Sequence, residues 1–138
     1  MKEKNDFFIA LDVPDKNRAL ELVRILPSSH QYYKVGMELF YNAGLSLLSD
    51  LAQLNKKVFL DLKLFDIPQT VKRTLSSLSR YPLFMINIHL LGGEEMSQKA
   101  RQALEENNCL AKLIGVTILT SFDRISWRKV FPIDSITE

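Results

Sequence analysis

Cysteine is almost missing from this chain of 138 residues: Cys109 stands alone. No internal disulfide can form, and no cysteine-rich metal site exists. Long apolar runs are missing too, and no stretch approaches the length of a membrane span. Met1 to Asp6 is short and charged and lacks the apolar centre of a signal peptide. Neither sign of charge dominates. A net charge of +2 gives no reason to expect nucleic acid or an acidic membrane surface as a partner. No low-complexity tract or linker interrupts the chain. These absences predict a cytoplasmic protein that binds neither nucleic acid nor membrane. What is present is ordinary for a globular chain. With 46% hydrophobic and 25% charged residues, the length suffices for one domain, residues 1–138, with its own core.

Apolar runs alternate with helical periodicity along the whole chain. Phe7 to Val13 reads as a buried strand with Asp12 near its end, and Pro14-Asp15 opens a helix with Asp15 as N-cap. Ala19, Leu22, Val23 and Leu26 supply its stripe, and Pro27 stops it. Tyr32 to Met37 is a second strand, carrying Lys34. Leu45, Leu48, Leu51, Ala52 and Leu54 mark a helix. Val58 to Lys63 is the third strand, and Pro68 suits the first turn of the helix striped by Val71, Leu75 and Leu78. Phe84 to Leu90 is the fourth strand, followed by Gly92-Gly93 and a helix marked by Met96, Ala100, Ala103 and Leu104. Lys112 to Leu119 is the fifth. A short helix over Asp123 to Phe131 and the start of another element at Ser135 complete the expectation.

Strand centres recur at roughly 25–30 residues, about one βαβ unit. That spacing predicts a parallel sheet with helices outside, either an open doubly wound sheet or a (β/α)8 barrel. A polar or ionisable residue sits in or just after every strand: Asp12, Lys34, Asp61 with Lys63, His89, Thr117 and Thr120. In a barrel the strand ends converge on one mouth, whereas an open sheet gathers ligand groups at its switch point. No Gly-x-Gly-x-x-Gly follows the first strand. The barrel is therefore favoured. A whole barrel takes about 250 residues and eight strands, so the expectation is an incomplete one, the N-terminal portion with about five parallel strands. Its first and fifth strands would then be edges with unpaired backbone groups.

The densest chemistry lies in Val58 to Thr70. Strand alternation points Asp61 and Lys63 to one side and Leu60 and Leu62 to the other. A carboxylate and an ammonium on an inward face are costly unless paired. Lys34, Asp61, Lys63 and Asp66 can alternate as a row of mutually neutralised charges. Such a row keeps Lys63 protonated and aimed and Asp61 ionised. It suits a reaction in which a carbanion forms and must be stabilised and protonated. A structural ion-pair network explains the same four residues equally well.

The order Asp61-Leu-Lys63-Leu-Phe-Asp66-Ile67-Pro68-Gln-Thr70 resembles the Asp-x-Lys-x-x-Asp-Ile-Pro-x-Thr signature of the orotidine 5'-phosphate decarboxylases. Further blocks resemble that family in the same order: Ile9-Ala-Leu-Asp12, Tyr33 to Tyr41, Asn87-Ile-His89 with Gly92-Gly93, and Val116 to Ser121. The resemblance implies a (β/α)8 barrel enzyme, a carboxy-lyase of pyrimidine biosynthesis. It would convert orotidine 5'-monophosphate to uridine 5'-monophosphate and CO2 without metal or cofactor. Asp61 would face the substrate carboxylate, and Lys63 would protonate the carbon left behind. Lys34 and Asp12 would contact the ribose and hold the row. Asp66 and Thr70 would reach into the site of a homodimer partner, and Thr120 would contact the pyrimidine or its neighbouring loop. Phe65 stands where many relatives carry histidine. The family's phosphate grip, built on loops after the last strands, has no counterpart in these residues, so this chain alone is expected to be inactive or nearly so.

Two other readings compete. A metal-dependent hexulose-phosphate synthase or keto-gulonate-phosphate decarboxylase shares the Asp-x-Lys-x-x-Asp core, but the Asp-Ile-Pro-x-Thr continuation argues against it. The other is a non-catalytic truncated half-barrel. Remaining residues take plain readings. His89 is a structural residue of the mouth, Cys109 a bystander, and Gly92-Gly93 a strand-to-helix turn. Lys56-Lys57 and Lys72-Arg73 are solvated surface, and Trp127 anchors the tail against the barrel.

Overall fold

In the computed structural model, which describes residues 7–131, five parallel strands form one sheet in the order β1-β2-β3-β4-β5. The elements are β1 (Ile9–Ala10), α1 (Lys16–Ile25), β2 (Tyr32–Gly36), α2 (Met37–Ala43), α3 (Leu45–Gln53), β3 (Lys57–Leu64), α4 (Pro68–Leu78), β4 (Leu83–His89), α5 (Gly93–Glu106), β5 (Lys112–Val116) and α6 (Arg124–Val130). A doubly wound sheet reverses its strand order at a switch point. Here each strand pairs with the next in sequence and none reverses, which is the winding of a barrel wall. Pro132 and the element expected from Ser135 lie outside the described residues.

Local chemistry accounts for the boundaries. Asp15 caps α1 by accepting the Arg18 N–H at 2.9 Å. Pro68 opens α4, where its missing N–H costs nothing. Three differences from the sequence reading have physical causes. The strand expected over Phe7 to Val13 is only Ile9–Ala10, plus one further bond from Leu11 N–H to the Lys34 carbonyl, because among the described residues β1 has a single neighbour. The strand expected up to Leu119 stops at Val116, where β4, its sole neighbour among the described residues, ends: His89 is the partner of Val116. The third is α2, which the sequence reading missed. The second strand was expected to run to Met37, with no element between it and the helix from Leu45, whereas the strand ends at Gly36 and α2 starts at Met37. Gly44 then separates α2 from α3 with φ of 68°, a backbone that favours glycine.

Alternation divides each strand between two environments. On β3, Val58, Leu60 and Leu62 are buried beneath the helices, while Phe59, Asp61 and Lys63 face the concave side. The helix-side core joins Tyr33, Val35, Leu60, Ile86 and Ile88 to Val23 of α1, Leu47, Leu48 and Leu51 of α3, Leu75 of α4 and Met96 and Ala100 of α5. The concave side is graded along the strands. Towards their N-terminal ends it carries an aromatic cluster, with Phe8 5.3 Å from Tyr32, 5.7 Å from Phe59 and 5.9 Å from Phe84 between ring centroids. Towards their C-terminal ends it carries the charged residues. No helix among the described residues is long and apolar enough to cross a membrane.

Three of the four cations read as solvated surface have partners, Lys56, Lys57 and Lys72. Lys56 donates to the His30 carbonyl at 2.8 Å, and Lys57 lies 4.8 Å over the Tyr32 ring. Lys72 bridges α4 to α5 through Glu106 at 2.9 Å. Trp127 is buried, but its ring contacts are Phe131 at 4.1 Å and Phe122 at 6.0 Å, within its own segment and outside the main core.

Candidate active site

The charged row sits where β1, β2 and β3 end. Lys63 Nζ donates to Asp61 Oδ1 at 2.6 Å. Lys34 Nζ stands 3.8 Å from Asp61 Oδ2 and donates to Asp12 Oδ1 at 3.0 Å. The order is therefore Asp12–Lys34–Asp61–Lys63. Asp66, expected as a member of the row, is not in it: exposed at the start of the next turn, its carboxylate accepts the Ile67 N–H at 2.7 Å. Asp12 takes the place that was assigned to Asp66, because the end of β1 lies beside Lys34 and the chain after Leu64 turns away.

Burial pushes the Asp61 carboxyl up. The hydrogen bonds from Lys63 and Asn87, with the charges of Lys63 and Lys34, outweigh burial and hold it below its ordinary value. Asp61 is thus an anion fixed by three donors or cations, with only 14% of its side chain exposed. The lysines are more open, at 24% for Lys34 and 36% for Lys63. These groups line a cleft of about 220 Å³ with Gly36 and Glu38. A Cβ on Gly36 would stand 3.4 Å from Lys34 Nζ, so the glycine keeps this wall of the cleft open.

Asp61 and Lys63 share a side, as alternation requires, but not on a regular strand. Between Leu60 and Leu64, β3 advances four residues while β4 advances two, from Ile86 to Ile88. Within this bulge Lys63 has φ of 48°, in the left-handed region. A non-glycine residue there costs on the order of 1–3 kcal/mol, and such strain collects at functional sites. Bulges likewise re-aim side chains beside active sites. The feature the sequence reading missed is Asn87. It is 2% exposed, donates to Asp61 Oδ1 at 2.6 Å and accepts the Lys63 N–H at 2.7 Å. Its signal in the sequence was a polar residue inside the apolar run Phe84 to Leu90.

The other expected site residues lie apart from the row. Thr70 is exposed on the first turn of α4, and Thr120 is exposed in the turn after β5. Both Asp66 and Thr70 line a second groove, of about 490 Å³, with Met37, Tyr41, Phe65 and His89. His89 accepts the Leu91 N–H on Nδ1 at 3.3 Å, as a structural residue does. Gly92 packs against Met96 so closely that a Cβ would collide with its sulfur, which supports the turn reading of Gly92-Gly93. Among the described residues no group of three His, Cys, Asp or Glu side chains is arranged to hold a metal ion.

The family model described as "Orotidine 5'-phosphate decarboxylase / HUMPS family" matches residues 5–135. An orotidine 5'-phosphate decarboxylase from Carboxydothermus hydrogenoformans is 46% identical over 126 residues, covering 88% of this chain and 52% of that protein. One from Dictyoglomus turgidum is 42% identical over 134 residues, covering 94% and 55%. The crystal structure of the orotidine 5'-phosphate decarboxylase from Lactobacillus acidophilus superposes with a TM-score of 0.84 at 34% identity, covering 89% of this chain and 57% of that one. The chain spans about half the length of the curated relatives it matches.

Proposed function

The chain belongs to the orotidine 5'-phosphate decarboxylase / HUMPS family, and from that membership we propose that its residues supply the chemical half of an orotidine 5'-monophosphate decarboxylase site. The supporting observation is the Lys34–Asp61–Lys63 row, held at the strand ends around a carboxylate that its neighbours keep below its ordinary pKa against the upward push of burial. Asp61 stands against the substrate carboxylate. As the C–C bond breaks, CO2 departs and its electron pair stays on the ring carbon. The Lys63 ammonium lies where it stabilises that charge and donates the proton, leaving a neutral amine that solvent reprotonates. Lys34 and Asp12 hold the ribose and keep the row in register, and Thr120 contacts the pyrimidine or its neighbouring loop. The names of the relatives favour this over the metal-dependent alternatives.

The second groove supports a homodimer as part of the reading. Met37, Tyr41 and Phe65, which line it, are 48%, 77% and 61% exposed, an apolar surface beside Asp66 and Thr70. A second copy seated there would cover it and receive Asp66 and Thr70 at its own site. The protein would work in the cytoplasm on a small nucleotide.

The test is a chimera joining residues 1–138 to the C-terminal half of the Carboxydothermus relative. It should decarboxylate orotidine 5'-monophosphate with or without a chelator. Lys63→Ala should lower kcat by at least about 10²–10⁴-fold, the usual range for a positioned proton donor. A folded chimera that binds uridine 5'-monophosphate but turns over equally with and without Lys63 would sink the proposal. The 138-residue chain alone should show little turnover, because binding energy from the remote phosphate is missing.

A further inference from the structure

We infer that Asn87 is the positioning residue of this site: its carboxamide spans the bulge in β3, holding the Lys63 backbone at one end and the Asp61 carboxylate at the other. In the bulge, four steps of β3 face two of β4, so the parallel ladder cannot serve every N–H. Asn87 stands on β4 between the two matched positions, Ile86 and Ile88. Its side chain replaces the lost ladder bond, with Oδ1 accepting the Lys63 N–H at 2.7 Å.

The chemistry fixes which end is which. A backbone N–H only donates, so the oxygen must face Lys63. A carboxylate only accepts, so the NH2 must face Asp61, where Nδ2 lies 2.6 Å from Oδ1. Aspartate would present oxygen to both partners, and an aliphatic side chain would satisfy neither. At 2% exposure, no bulk water is at hand to stand in.

The clamp decides two things at once. It stabilises the left-handed φ of 48° at Lys63, from which the ammonium returns onto Asp61. It also loads Asp61 Oδ1 with two donors at 2.6 Å, leaving Oδ2, among the described residues, with the 3.8 Å approach of Lys34. The carboxylate therefore cannot rotate freely, and Oδ2, paired only loosely with Lys34, is its more available oxygen. This role for Oδ2 rests on the decarboxylase reading: it is the oxygen that meets the substrate carboxylate. The clamp itself does not depend on any substrate.

The groups facing Asp61 are Lys63 from β3, Lys34 from β2 and Asn87 from β4, with Asp12 on the far side of Lys34. The experiment is nuclear magnetic resonance on the whole chain, reading Lys63 amide exchange and the Asp61 carboxyl titration. In the unaltered protein the Lys63 amide should exchange at least about 100-fold more slowly than an exposed one, as buried hydrogen-bonded amides do. Asn87→Ala removes both bonds: Lys63 exchange should quicken about tenfold or more, and the Asp61 midpoint should rise by about one pH unit. Asn87→Asp keeps the acceptor and loses the donor. Lys63 should stay protected while the Asp61 midpoint moves by more than about one unit, because two carboxylates then share one place. An asparagine that only fills space would move both readouts together in both variants, or neither, and either pattern overturns the inference. Should the variants fail to fold, the unaltered protein still decides: a Lys63 amide exchanging like an exposed one refutes the clamp, and a protected one supports it. No substrate enters these measurements, so an inactive chimera and a failed clamp are separate results.

Discussion

Replacing Asp61 by asparagine removes one charge and almost no volume, which makes it a clean probe of the row. In the fold Asp61 accepts Lys63 Nζ at 2.6 Å and faces Lys34 Nζ at 3.8 Å. After the change both ammoniums face a neutral amide. Each charge-assisted hydrogen bond is worth about 1.5–3 kcal/mol, against about 0.5–1.5 for a neutral one. Breaking a fully buried pair by removing one partner costs about 3–5 kcal/mol. Since Lys34 and Lys63 are 24% and 36% exposed, water can resolvate them in part, and a loss of about 2–3 kcal/mol is expected at pH 7. The sign of the pH dependence follows from the direction of the shift. The folded state holds the Asp61 carboxyl below its ordinary 3.8. Its contribution is therefore complete above about pH 5 and is lost as pH falls through the lower, folded value. A protonated Asp61 is nearly isosteric with asparagine, so the gap in stability between the two proteins should narrow as pH falls below 3.8. Urea unfolding of both proteins across this range measures the difference directly. Equal stability at pH 7, or a gap that persists undiminished at the acid end, would refute the view that Asp61 is a charge held by its neighbours.

Three more outcomes are expected. Leu60→Ala should cost about 2–5 kcal/mol in urea unfolding, because Leu60 is fully buried on the helix side of β3; a cost below about 1 kcal/mol would contradict its place in the core. Gly36→Ala should leave stability within about 1 kcal/mol while weakening uridine 5'-monophosphate binding by the chimera about tenfold, read by calorimetry, since the new methyl enters the cleft 3.4 Å from Lys34 Nζ. Tyr41→Asp should shift the chimera from dimer to monomer in sedimentation velocity without unfolding it, as Tyr41 is 77% exposed beside the second groove; an unchanged dimer would place the interface elsewhere.

Strand and helix alternation was legible in the chain because its causes are local. Apolar periods of two and 3.6, the Asp15 cap and the Pro68 helix start act within a few residues. The pairing of Asp61 with Lys63 was legible for the same reason, being a matter of two positions on one strand. Asp12, Lys34, Asp61 and Lys63 could be named as candidates from their places in or after strands. Their order could not, because it depends on which strand ends lie side by side. That is why Asp66, close in sequence, yields its expected place in the row to Asp12, far away in sequence. Strand lengths were misjudged at both edges of the sheet, since a strand lasts only as long as its neighbour supplies partners. Asn87 shows the division most sharply. Along the chain it is one polar residue in an apolar strand. It becomes the clamp of the site only when β4 is laid against β3 and the bulge leaves the Lys63 N–H without a ladder partner. Local composition selects which elements form, whereas register between distant strands selects which charges meet.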